Sequence, residues 1–153
     1  MHKTYYSAVL NSRVHHVWNL VRDFNNYPKY IEGVSESLIE DGRNGDEIGA
    51  VRRFCYGGTW IRQRLTAHSD DKRTFSYAGL DPFRFPATGE RAPAAIEYSG
   101  TLRLAPITEG DRTFAEWSVE FDCVPEDAAP WHDLLMQLIP QWMASLGRAA
   151  EAK

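Results

Sequence analysis

The sequence predicts an α+β fold in which one early helix and one long late helix bracket a run of antiparallel strands. Three observations carry it: an apolar stripe at helical spacing over 14–24, strand-length runs separated by turn residues between 33 and 124, and a second helical stripe from 130 onward. Residues 3–10 read as a first strand. Val14, Val17, Trp18, Val21 and Phe24 then recur at i, i+3, i+4, i+7 and i+10, one face of a 3.6-residue helix, with Ser12 placed to cap its first free N–H groups. Asn25, Asn26 and Pro28 stop it, because proline lacks the N–H and pushes Tyr27 out of helical angles. A further helical turn is expected around 27–31. A helix this short is marginal alone, so its stripe must lie on something large and apolar.

The runs 34–40, 48–56, 59–68, 74–80, 97–106 and 113–124 read as strands. Asp41-Gly42, Asn44-Gly45, Gly57-Gly58, Asp70-Asp71 and Glu109-Gly110-Asp111 supply the turn chemistry beside them. Most of these connections are too short for a parallel return, which needs a crossover of about a dozen residues, so consecutive runs are antiparallel neighbours. Trp117, Val119, Phe121 and Cys123 alternate with Glu116, Ser118, Glu120 and Asp122, which buries one face and wets the other. The same alternation turns Phe54, Tyr56, Ile61, Gln63, Leu65, Phe75, Tyr77, Tyr98, Leu102 and Leu104 inward. Arg62 and Arg64 fall on the opposite, solvated face. The last helix is expected over 130–148, with Asp127 as cap, Pro130 in the first turn and an apolar stripe of Trp131, Leu134, Leu135, Leu138, Trp142 and Leu146. Pro140 predicts a kink near 136–140.

The 153 residues fit one domain, 1–153, of ordinary globular composition: 43% hydrophobic and 25% charged. A net charge of -4 argues against a nucleic-acid or anionic-membrane partner. Cys55 and Cys123 are isolated from each other and from histidine, and act as small hydrophobes in a reduced, cytoplasmic protein. The N-terminus lacks the pattern of a signal peptide, and no run reaches the ~18 apolar residues of a membrane span, so secretion and membrane insertion are both unsupported. His15 and His16 point about 100° apart on a helix, and no HxxxH or HExxH spacing exists, so no metal site is expected. The strand serines have no nucleophile elbow around them. No cofactor is implied, and an oligomer is neither predicted nor excluded.

The stretch 17–24 with Tyr27-Pro28, then Gly49-Ala50-Val51-Arg52-Arg53, Gln63-Arg64-Leu65 and Tyr98 leading into Thr101-Leu102-Arg103, resembles the START-related (SRPBCC) superfamily, in particular its polyketide cyclase/dehydrase-like branch. That branch also looks related to the plant abscisic-acid receptors. The resemblance covers nearly the whole chain. It implies the helix-grip fold: a curved antiparallel sheet of about seven strands wrapped around a long C-terminal helix, with two short helices after the first strand. It also implies a ligand cavity more securely than a reaction, since members include carriers, receptors and aromatase/cyclases. Two departures stand out. Gln63 occupies a position where the family often has glutamate, and 80–96, rich in proline and alanine with Phe83 and Phe85 at its tip, is longer than the usual connection.

A curved sheet that cannot close on its helix leaves an apolar pocket with a few orienting polar groups. Phe54, Tyr56, Ile61, Phe75, Tyr77, Tyr98, Trp117, Leu135, Leu138 and Trp142 are the expected wall, with Gln63 and Arg52 as its polar members. The same aromatics would equally fill a solid core. An inward Arg52 needs an anionic partner, either a ligand carboxylate or a surface acid at the sheet's rim. The expected ligand is a hydrophobic small molecule such as a lipid, an isoprenoid or an aromatic polyketide, bound by a carrier or sensor. The alternatives are a cyclase, aromatase or dehydratase acting on such a molecule, and an interaction module with a filled core. The 80–96 segment is expected to gate the pocket mouth or to pack on the surface.

Overall fold

The structure, a computed structural model, describes residues 1–83 and 96–152. Its principal elements are β1 (His2–Leu10), α1 (Val14–Val21), α2 (Tyr27–Tyr30), β2 (Val34–Ile39), β3 (Val51–Tyr56), β4 (Thr59–Ser69), β5 (Thr74–Gly79), β6 (Glu97–Ile107), β7 (Arg112–Asp122) and α3 (Ala128–Glu151). The strands form one seven-stranded antiparallel sheet in the order β1-β7-β6-β5-β4-β3-β2. Each strand from β2 to β7 therefore pairs with its neighbour in sequence, and β1 closes on the last strand. The sheet curves around α3, the architecture of the helix-grip fold. Among the described residues no helix is long and apolar enough to cross a membrane.

Val14, Val17, Trp18 and Val21 are all buried, as their spacing requires. Phe24 is buried too, but in a separate 3-10 turn, Phe24–Asn26, after the helix has ended. Ser12 does not cap α1: Arg13 holds the cap position without a side-chain bond, and the Ser12 carbonyl instead accepts from the Thr113 hydroxyl at 2.7 Å. Asp127 stands at the cap position of α3, yet its carboxylate does not cap the helix. The second strand of the hairpin pair starts at Val51 rather than 48, because Gly49 takes a φ of 97° and the Ala50 N–H turns back to the Glu47 carbonyl. At the other end, α3 runs unbroken from Ala128 through Pro140 to Glu151, longer at both ends than its apolar stripe.

α2 is tied to α3 by one hydroxyl. Ser145 accepts from the Glu32 N–H at 2.9 Å and donates to the Tyr30 carbonyl at 2.7 Å. This bond serves the carbonyl end of a four-residue helix that has no room to satisfy its own groups. It also holds α2 between β2 and α3.

Candidate functional site

A cavity lies between the concave face of β3–β7, α2 and α3. Phe54, Tyr56, Ile61, Gln63, Tyr77, Tyr98, Leu135 and Trp142 line it, all of them expected there from alternation or helical spacing. Tyr27, Ile31, Phe83, Ile96 and Val119 complete the wall. Val119 was readable from the alternation of β7, whereas Tyr27 and Ile31 were not, because nothing local says which way a four-residue helix faces. The void holds about 30 Å³ of solvent space, within about 480 Å³ of empty volume when its mouth is counted. That is room for about two waters.

Four expected wall residues lie elsewhere. Phe75 is buried in the core beside Trp18, Phe24 and Tyr77, with ring centroids 6.2 to 6.4 Å away. Trp117 is buried behind Tyr77 and packs tilted against Trp142, ring centroids 5.6 Å apart. Leu138 is half-exposed and off the cavity; Ile139, one residue on, is the fully buried position. Arg52, the fourth, sits beneath the wall.

Two glycines let the tyrosine rings lie across the sheet. Tyr77 pairs with Gly100 on β6, and a Cβ at Gly100 would run into the Tyr77 ring and hydroxyl. A Cβ at Gly79 would likewise run into the ring of Tyr98. Glycine in a strand interior commonly marks such a close approach, and here it lets two phenols turn flat along the cavity floor.

The Arg52 guanidinium is fully buried, and among the described residues no surface acid at the sheet's rim pairs with it. Its Nε and Nη2 both donate to the Gln63 carbonyl oxygen, at 2.9 and 2.6 Å, and Nη1 reaches the Phe24 carbonyl at 3.4 Å. It lies over the rings of Tyr27 and Phe24, 3.6 and 3.9 Å from their centroids. Aromatic faces and neutral oxygens thus stand in for a carboxylate, an arrangement that guanidinium tolerates better than ammonium because it is planar and weakly hydrated. The Gln63 amide then passes the contact on to the cavity, its Nε2 donating to the Tyr98 hydroxyl at 2.9 Å. Two further phenols on the wall accept bonds from indoles: Tyr77 from Trp117 and Tyr56 from Trp142, both at 3.1 Å.

Burial dominates the acidity of these groups. It pushes Tyr77 and Tyr98 up to about 12, with the positive charge of Arg52 acting in the opposite sense in both. Tyr27 and Tyr30 are raised further for the same reason. Of the loop expected to gate the mouth, residues 84–95, including Phe85, lie outside the described residues. Phe83 bridges to Ile96 and packs against Tyr98 and Trp131 at 5.2 and 6.0 Å.

Comparison with known proteins places this geometry in context. Residues 1–151 match the family model described as polyketide cyclase / dehydrase and lipid transport. A comparison with curated proteins yields no match. Among solved structures, a Thermobifida fusca protein is 24% identical with a TM-score of 0.79, over 100% of this chain and 96% of that one. A START superfamily protein from Mycobacterium smegmatis is 12% identical with a TM-score of 0.74, over 99% and 98%. The di-domain ARO/CYC BexL from the BE-7585A biosynthetic pathway is 14% identical with a TM-score of 0.77, over 99% of this chain and 47% of that one. At these identities the structures speak for the fold alone, but the family model spans nearly the whole sequence. The chain belongs to the polyketide cyclase / dehydrase and lipid transport family.

Proposed function

We propose that the protein binds an apolar small molecule, such as a lipid, an isoprenoid or an aromatic polyketide, in the cavity between sheet and α3, as a cytoplasmic carrier or sensor. The observation that carries this reading is the wall itself: aromatic and aliphatic side chains around a void, with polar atoms gathered at Gln63 and the tyrosine hydroxyls. Apolar surface supplies affinity and a few placed polar groups supply orientation. A second reading, catalysis of cyclisation or dehydration on such a ligand, is favoured by the family's description. Against it, the described wall carries no carboxylate or imidazole, and phenols with a pKa near 12 are poor proton carriers at neutral pH. Turnover of a poly-β-ketone by the purified protein would decide for catalysis.

Native mass spectrometry and thermal unfolding test the carrier reading. A co-purifying molecule of a few hundred daltons is expected, or else a hydrophobic panel compound that raises Tm by about 5 °C or more at a hundredfold excess over its Kd. A ligand-free protein whose Tm ignores the whole panel would sink the reading.

A further inference from the structure

The hydrogen-bond senses at the cavity fix what it offers a ligand. Tyr56 and Tyr77 each accept from an indole N–H, and an indole nitrogen can only donate. Tyr98 accepts from Gln63, and this sense is also fixed. Arg52 can only donate, so the Gln63 oxygen that takes its two N–H groups must be the carbonyl, which leaves the NH2 facing Tyr98. Three phenols on the wall therefore keep their own O–H protons, and no described residue takes them. Tyr77 and Tyr98 stay un-ionised at neutral pH.

Charge points the same way. Arg52 is a buried cation facing an amide, not a carboxylate, and a buried charge is costly unless compensated. Asp81, the acid whose field reaches Tyr98, acts on it more weakly than Arg52 does. A glutamate in place of Gln63 would pair with Arg52 and accept a hydrogen bond from the Tyr98 hydroxyl. Glutamine does neither.

We propose that the cavity selects apolar ligands whose polar atoms are acceptor oxygens with full or partial negative charge, such as a carboxylate, phenolate, enolate or conjugated carbonyl, over apolar and ammonium-bearing analogues of the same shape. This selectivity rests on the cavity reading above and goes beyond it in naming the ligand's chemistry. Tyr98 supplies the donor at the charged end, while Gln63 and Arg52 orient it and supply the field.

Calorimetric titration of the full chain with four naphthalene probes tests the proposal: 2-naphthoate, 2-acetonaphthone, 2-ethylnaphthalene and 2-naphthylmethylammonium. Naphthoate and acetonaphthone are expected to bind about tenfold more tightly than ethylnaphthalene, with the ammonium weakest, the size of effect that one or two well-placed donors give. Tyr98→Phe removes the hydroxyl, both the O–H donor and the acceptor of the Gln63 N–H, and should cut that advantage to about threefold or less. Gln63→Glu should reverse the order of naphthoate and ammonium. Equal affinity for all four probes, preference for the ammonium, or an advantage that survives Tyr98→Phe would overturn the selectivity while leaving the cavity reading standing. Binding of none of the four removes both.

Discussion

Asp70 carries the polar contacts that tie the end of α1 to the turn after β4. In the turn after β4, its carboxylate accepts from the Trp18 indole at 2.9 Å and from the Arg22 fork at 3.0 and 3.1 Å, with His68 at 3.2 Å. Arg22 first, then Trp18, hold this carboxyl well below the usual carboxylate range. A lowered acid contributes stability that is complete above its unfolded pKa of about 4 and fades as pH falls through the lower folded value. The side chain is 55% exposed, so solvent screens the charge, and the larger contribution is the partner it gives a buried indole N–H. Asp70→Asn keeps an acceptor for Trp18 and is expected to cost about 0.5 kcal/mol, whereas Asp70→Ala strands the indole and should cost about 1.5 to 2 kcal/mol in urea unfolding at pH 7. Equal losses would mean that the ion pair, not the indole, carries the contact. The Arg22-Asp23 pair of the opening motif thus does fold work: Arg22 grips Asp70, and Asp23 accepts from the Asn25 N–H to start the 3-10 turn.

At the scale of elements, strands were read more accurately than the long helix, and the reason is chemical contrast. Along β7 every inward residue is apolar or small and every outward one is polar or half-exposed, so a two-residue period leaves no ambiguity. Along α3 two adjacent apolar residues, Leu138 and Ile139, both fit a 3.6-residue stripe. Only the packed partner decides between them, and the sheet selects Trp131, Leu135, Ile139, Met143 and Leu146. Ile139→Ala should therefore cost about 2 to 4 kcal/mol in chemical denaturation, and Leu138→Ala less than about 1 kcal/mol, because only the first opens a hole in the core. The reverse order would mean that α3 is rotated from the position described. Capping failed as a guide for a related reason. Ser12 and Asp127 have the right chemistry, but Ser12 sits one residue before the cap position, its carbonyl held by Thr113, and Asp127 holds the cap position of α3 without a side-chain cap bond.

For the whole molecule, the inward faces of the sheet could be read from sequence, but the gap they leave could not. Whether a concave face closes on its helix depends on contacts such as Trp142 with Tyr56 and Trp117 with Tyr77, which join residues 86 and 40 positions apart. Arg52 shows the same limit: alternation turns it inward, while its cover of Tyr27 and Phe24 arrives from the other side of the chain's first turn. With about 30 Å³ of solvent space, the cavity is too small for a ring system unless a wall side chain yields. Trp142 is the side chain placed to do so, being half-buried, edge-on to Tyr56 at 6.4 Å and attached to the wall by a single hydrogen bond. Trp142→Ala should lower stability by about 2 to 4 kcal/mol while tightening 2-ethylnaphthalene binding, since the lost indole leaves apolar room beside Tyr56 and Leu135. Trp142→Phe keeps most of the ring but drops its N–H, so it should lose stability without gaining affinity. Weaker ethylnaphthalene binding in Trp142→Ala would mean that the indole is part of the ligand's seat rather than the door to it, and the opening would then have to be sought on the Phe83 side of the cavity.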